Sequence, residues 1–391
     1  PSVHNTVSVD QVFVPTVYNS VTTCIPCGGA VRAQSLSDGT GVSLPVKRGY
    51  AGGYVGHNSG GQIWGTSGAP WMAYDEDEYP EANRQDCDAI RVRSVYGAEY
   101  AGGYVGLMEA ASTVQGGSLS LLGGLLSAQN LLKALDVVYP TIKNANIYGP
   151  LEQLDKDTWN AWVNHVGSEG GFASELKAIG TVGSNEQLAE IVGQFIYGYH
   201  VVAGRDEYDS CANTRLSGCA GGFAGGLYSG VIRDAVANNA KQVRAMRAAG
   251  GFVGDIRSEG LAEFGSVNLF GDALSLKLGS LLKVADVLVP VVFETGVKGY
   301  QNGLIVRAEG MPTTLNSDGE PVSSNCGFAG GFAGTCEGGQ IGNRADGNLD
   351  FETEIPVNGA WVKNLKTVNG TNCIGGFVGK TASPSVANED D

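Results

Sequence analysis

Gly52-Gly53-Tyr54-Val55-Gly56-His57-Asn58-Ser59-Gly60-Gly61-Gln62-Ile63 decides how this chain is read, because most of it returns further along. Gly102-Gly103-Tyr104-Val105-Gly106 repeats its first five residues unchanged. Counting the degenerate Gly170-Gly171-Phe172-Ala173-Ser174, the unit occurs seven times. The other copies begin Gly221-Gly222-Phe223, Gly250-Gly251-Phe252, Gly330-Gly331-Phe332 and Gly375-Gly376-Phe377. The likeness also runs downstream. Eight residues after its first glycine the Gly52 copy reads Gly60-Gly61-Gln62-Ile63, and the Gly330 copy reads Gly338-Gly339-Gln340-Ile341. The Gly221 copy has Ser229-Gly230-Val231-Ile232 at that offset.

Paired glycines permit positive φ and a close approach of backbones at a corner. In a strand that follows, the aromatic and the next Val or Ala point to opposite faces. A unit this small cannot bury its own apolar face and needs neighbours on both sides. Stacked units would align Tyr54, Tyr104, Phe223, Phe252, Phe332 and Phe377 in one mostly buried ladder. The fold expected is therefore mainly β, a right-handed parallel β-helix or β-solenoid. Copies start 50, 68, 51, 29, 80 and 45 residues apart. The shortest interval suits one turn, and the longer ones must hold extra turns or inserted elements.

Two of those intervals resemble each other. Leu131-Leu132-Lys133-Ala134-Leu135-Asp136-Val137-Val138-Tyr139-Pro140 precedes Leu281-Leu282-Lys283-Val284-Ala285-Asp286-Val287-Leu288-Val289-Pro290 by 150 residues. In the second, Leu274, Leu278, Leu281, Leu282, Ala285 and Leu288 share one helical face. This predicts one elongated array over 1–391, with duplicated modules at about 100–248 and 249–382. Amphipathic helical insertions are expected at about 118–139, 151–197 and 272–289, and a flexible tail at 383–391.

Sixty glycines among 391 residues are about twice the usual share, yet no Gly-X-Y period exists, which excludes collagen. The net charge of −15 would repel a polyanion, so nucleic acid is excluded as a partner. No apolar run is long enough for a membrane-spanning helix. Eight cysteines fit oxidised pairing outside the cell. Cys211 with Cys219 and Cys326 with Cys336 are the preferred bridges, followed by Cys24 with Cys27; Cys326 with Cys373 stays open as a stacked-turn pairing. Zinc would need a second ligand pair beside Cys24-Ile-Pro-Cys27. Pro1 and the ragged end lead us to expect a piece of a longer protein.

Catalytic motifs are missing. Of four histidines, none sits in a zinc-protease pattern; His57 and His165 read as solvent-exposed. No nucleophile elbow or phosphate-binding loop appears, and no cofactor is expected. Asp75-Glu76-Asp77-Glu78 and Asp206, Glu207 with Asp209 offer the oxygen ligands calcium takes. They lack the spacing of a calcium loop, so solvated loops are the simpler reading. Trp64, Trp71, Tyr74 and Tyr79 gather beside the first of these clusters. Aromatic platforms with carboxylates suit sugars, although a segment packed over the flank of the array explains them as well.

The first copy resembles the GLUG-type repeat, roughly Gly-Gly-apolar-Val-Gly-x-Asn-x-Gly-Gly-x-Ile. Asn58 falls on its asparagine, which the other copies lack, and the copies with their flanks cover about a third of the chain. The resemblance implies a secreted or wall-attached bacterial protein, including adhesins, with no chemical activity attached. The helical insertions are similar to those of glycine-rich surface proteins of Gram-positive bacteria, which points to the cell wall. The expected function is an extracellular structural or adhesive module, not an enzyme. Its partner would be a host or bacterial surface protein or a glycan, and assembly into a fibre stays open. The alternative is a carbohydrate-active β-helix enzyme, a polysaccharide lyase or glycosidase.

Overall fold

The computed structural model describes residues 15–24, 28–33, 36–37, 43–44, 49–66, 86–110, 140–150, 198–204, 218–258, 289–310, 326–342, 349–350, 355–356 and 359–383. These residues are mainly β and contain no helix. The predicted helical insertions lie outside them, as do Phe172, Cys27, Cys211, Trp71, Tyr74, Tyr79 and both acidic clusters. Two six-stranded sheets and one of fourteen strands carry the fold, and every pairing within those three is parallel. Two short antiparallel hairpins, Leu36–Ser37 with Ser43–Leu44 and Leu349–Asp350 with Ile355–Pro356, stand apart.

One six-stranded sheet takes the residues ending at each repeat's first glycine, from Tyr50–Gly52 through Ile374–Gly375. The other takes those after the aromatic, from Val55–Ser59 through Val378–Ala382. In both, strand order follows chain order. Gly52 pairs with Gly102, Gly102 with Gly221, Gly221 with Gly250, Gly250 with Gly330, and Gly330 with Gly375. Intervals of very different length therefore take the same single step. Among the described strands no pairing uses the degenerate copy at Gly170, which lies outside the described residues. Pro140 and Pro290 precede strands in equivalent register, since Thr141 and Val291 both pair with Val231.

The aromatic ladder forms as the register demands. Adjacent parallel strands lie ~4.8 Å apart, and the rings follow that spacing. Centroids are 4.7 Å apart for Tyr54–Tyr104 and Tyr104–Phe223, 4.8 Å for Phe223–Phe252, and 5.0 Å for Phe252–Phe332 and Phe332–Phe377. The direct contact of Tyr104 with Phe223 leaves no rung between them for Phe172. Its four middle rings are fully buried, whereas Phe377 is 39% exposed at the end of the stack. Tyrosine occupies the rungs where a carbonyl is in reach: Tyr54 donates to Ser20 O and Tyr104 to Cys87 O, each at 2.8 Å.

Two expectations about the corner need correction. Among the described residues no glycine of the Gly-Gly-aromatic pairs has positive φ; inside the stack they are required by crowding. A Cβ on Gly250 would lie 1.8 Å from Val253 O, and one on Gly251 2.0 Å from Gly331 O. Nor do the aromatic and its successor point to opposite faces. Phe252 and Val253 both enter the core, because Phe252 lies in the bend and the strand begins only at Val253. Left-handed backbone is used at other corners, among them Gly60 (φ 71°) and Asn144 (φ 49°).

The predicted bridge between Cys326 and Cys336 is not formed, nor is the alternative with Cys373. Cys326 stands before the glycine corner, beside Gly310, while Cys336 lies beyond it on Ala333–Glu337. The Cys336 thiol donates to Gly339 O at 3.5 Å. Its place in the register is that of Asn58, whose amide donates to Gly61 O at 3.1 Å and accepts from Gly61 N–H at 2.9 Å. The thiol thus does part of the asparagine's work in closing a corner. Cys27 and Cys211, the partners expected for Cys24 and Cys219, lie outside the described residues.

Candidate functional site

Two regions outside the main core collect polar chemistry. The first is a seam between the two six-stranded sheets. Residues two before each glycine pair (Tyr50, Tyr100, Cys219, Ala248, Phe328, Cys373) meet residues five after its first glycine (His57, Leu107, Gly226, Asp255, Thr335, Lys380). His57 lies edge-on to Tyr50, its Nε2 2.9 Å from Glu109 Oε1, on a strand and exposed. Lys380 Nζ sits 5.0 Å over the Phe328 ring.

At the middle of the seam Asp255 is fully buried. It accepts from Arg247 at 2.9 Å, Arg257 at 3.0 Å, Tyr228 at 3.3 Å, and the Thr335 hydroxyl. Buried carboxylates persist where charge and hydrogen bonds compensate desolvation, and here both are present. Arg247 Nη1 also lies 3.8 Å from Cys219 Sγ. Burial, and then the Asp255 charge, push that thiol up to about 12, so it stays protonated and unreactive. The seam is largely buried, and its chemistry holds two sheets together.

The second region is open. On the large sheet, register aligns Tyr18, Trp64, Lys143, Arg233 and Phe293 in one column. Side chains alternate across a strand, so the residues just before them face inward. Ile63, Ile142, Ile232 and Val292 are indeed buried in the core. The column faces out over a groove of about 380 Å³ lined by Trp64, Thr141, Lys143, Val231, Arg233 and Phe293. Trp64 is 38% exposed and is held edge-on by Tyr18 at 5.8 Å.

The next residue on these strands adds acid. Asp234 (φ 49°) and Glu294 (φ 53°) have left-handed backbone, as do Asn19 and Asn144 at the same place. Asparagine and aspartate tolerate this region, while glutamate is rare there. Burial raises the Glu294 carboxyl above its ordinary value, as do a hydrogen bond and repulsion from Asp234. Arg233 and Lys143 pull it back.

Of the sequence-predicted ligand residues only Trp64 is described, and its neighbours are Tyr18 and the column. Lys143, Arg233, Asp234, Phe293 and Glu294 were not singled out by the sequence. A signal existed for three: Arg233 stands twelve residues after Gly221, as Trp64 stands twelve after Gly52, and Lys143 and Phe293 each stand three after the proline that ends the duplicated stretch. Among the described residues no group of three or more His, Cys, Asp or Glu is placed to hold a metal ion. None of their elements is a helix long and apolar enough to cross a membrane, which does not bear on strands. No family model, curated protein or solved structure matches the chain.

Proposed function

We propose that this chain is a right-handed parallel β-solenoid serving as an extracellular structural or adhesive module of a bacterial surface protein. The observation that carries the reading is the unbroken parallel stack of six repeat copies, joined by excursions of unequal length. A stack whose core and corners repeat at every step holds its shape whatever its excursions contain. That frees them, and the outer face, to engage a host or bacterial surface protein or a glycan. The resemblance of the first copy to GLUG-type repeats supports the location, while the unformed Cys326–Cys336 bridge removes one of its chemical supports. Glycan and host-protein arrays run beside a polysaccharide-degradation screen test the proposal. Binding without turnover is the expected result, and turnover of any glycan overturns it.

The carbohydrate-active enzyme has one observation in its favour, the Asp234–Glu294 pair beside an open groove. A glycosidase needs two carboxyl groups roughly 5 to 9.5 Å apart with a sugar carbon or a water between them, whereas Asp234 and Glu294 interact directly with one another.

A further inference from the structure

The outer column differs from everything beneath it. Inside, four successive rungs carry Ile63, Ile142, Ile232 and Val292, all buried and nearly interchangeable. One residue further, the same rungs carry Trp64, Lys143, Arg233 and Phe293. Packing does not dictate that set, because these side chains face the groove. Two aromatic surfaces bracket two cations, separated by three strand steps or roughly 14 Å along the stack. Asp234 and Glu294 supply acceptors immediately beside the donors of Lys143 and Arg233.

That inventory narrows the ligand. The groove lies on the face of a sheet whose backbone N–H and C=O groups are spent on its parallel ladder. A peptide therefore cannot add itself as a strand there and would have only side chains to grip. A polyanion meets the field of a chain carrying −15, with two carboxyls next to the only cations lining the groove. What remains is a polymer with flat apolar faces, many hydroxyls and no charge. Aromatic rings cover the faces, and Lys, Arg and carboxyl groups both donate to and accept from hydroxyls.

We propose that this groove binds a linear, uncharged glycan laid along the axis of the stack. Trp64 and Phe293 are the platforms for its sugar rings, and Lys143, Arg233, Asp234 and Glu294 bond the hydroxyls between. The inference rests on the adhesive reading above and gives it a site and a ligand class.

The test is affinity electrophoresis and titration calorimetry of the full chain. The probes are uncharged polysaccharides (dextran, xylan, mixed-linkage β-glucan) and anionic ones (polygalacturonate, heparin). Trp64→Ala and Arg233→Ala are compared with the unaltered chain, with thermal melts to confirm that each variant folds. At least one uncharged polysaccharide should bind, with little dependence on salt, and Trp64→Ala should weaken it tenfold or more. Preference for the anionic probes, with binding lost at high salt, overturns the proposal. So does binding that survives both substitutions, although the adhesive reading then stands with its site elsewhere. Absence of binding to every glycan overturns the proposal; adhesion falls with it only if the protein arrays are silent too.

Discussion

The inner ladder and the outer column climb the same stack under opposite constraints. Each ring of the ladder stacks on a ring like itself, from Tyr54 to Phe377, and those between the two ends are fully buried. The column passes from Tyr18 through Trp64, Lys143 and Arg233 to Phe293, with no residue type repeated in its five rungs. Inside, each rung's environment is set by its two neighbours, so one chemistry is imposed on all. Outside, a rung answers to solvent and to whatever binds. Uniformity marks the scaffold, and variety marks the surface on which function is written.

The sharpest way to break this contrast is to put a side chain into the corner. Gly250→Val sets a Cβ 1.8 Å from Val253 O and 2.7 Å from Gly334 N, neither of which can yield without parting the sheet. We expect no cooperative unfolding transition by circular dichroism. Gly376→Val, with nothing within 4 Å of its Cβ, should melt almost as the unaltered chain does.

Next in size is removal of a ring. Phe252→Ala empties a fully buried site between Phe223 and Phe332 and should cost about 3–5 kcal/mol in urea unfolding. Phe377→Ala removes a ring 39% exposed, and roughly 1 kcal/mol is expected because little burial is lost. Equal losses at the two positions would show that the ladder is not what holds the core. Asp255→Ala in the seam strands Arg247 beside the emptied site and should cost about 3 kcal/mol.

The outer column should register in stability no more than the end of the ladder does. Trp64→Ala, at 38% exposure, is expected to cost about 1 kcal/mol, whatever it does to binding. The smallest effect concerns Glu294. Its carboxyl is raised in the folded chain, so its contribution is most favourable below the ordinary value of 4.5 and is lost as pH rises through the higher folded value. Glu294→Gln should therefore flatten the pH dependence of the melting temperature above pH 4.5 and raise it slightly at neutral pH. An unchanged profile would mean that the Glu294 carboxyl is not raised in the folded chain. Thiol labelling of the native chain gives a parallel check, since buried Cys219 should resist alkylation until the chain unfolds.

Much of the scaffold was legible in one dimension. The Gly-Gly-aromatic unit carries its own geometry: crowding excludes any Cβ from the corner, and strand spacing brings like rings together. Residues within one copy are a few positions apart, so their common offsets are visible. The alternation assumed for Tyr54 and Val55 failed because the aromatic belongs to a bend, a distinction set by the path of the backbone. Cysteine proximity misled for a similar reason. Ten residues separate Cys326 from Cys336 in the chain, but Cys326 lies before the strand that enters the glycine corner and Cys336 on the strand that leaves it.

The sequence by itself determined that the chain is a stack of parallel β units and which residues form its inner ladder, because repetition forces like residues into like places. Only the tertiary structure decided that intervals of 29 and 80 residues span the same single step, since excursion length leaves no mark on pairing. It alone assembled the outer column. Trp64, Lys143, Arg233 and Phe293 are tens of residues apart in the chain, and the offsets that relate them (twelve from a first glycine for Trp64 and Arg233, three from a proline for Lys143 and Phe293) differ between the two pairs. They meet because parallel strands bring equivalent positions within ~5 Å however far apart they lie in the chain.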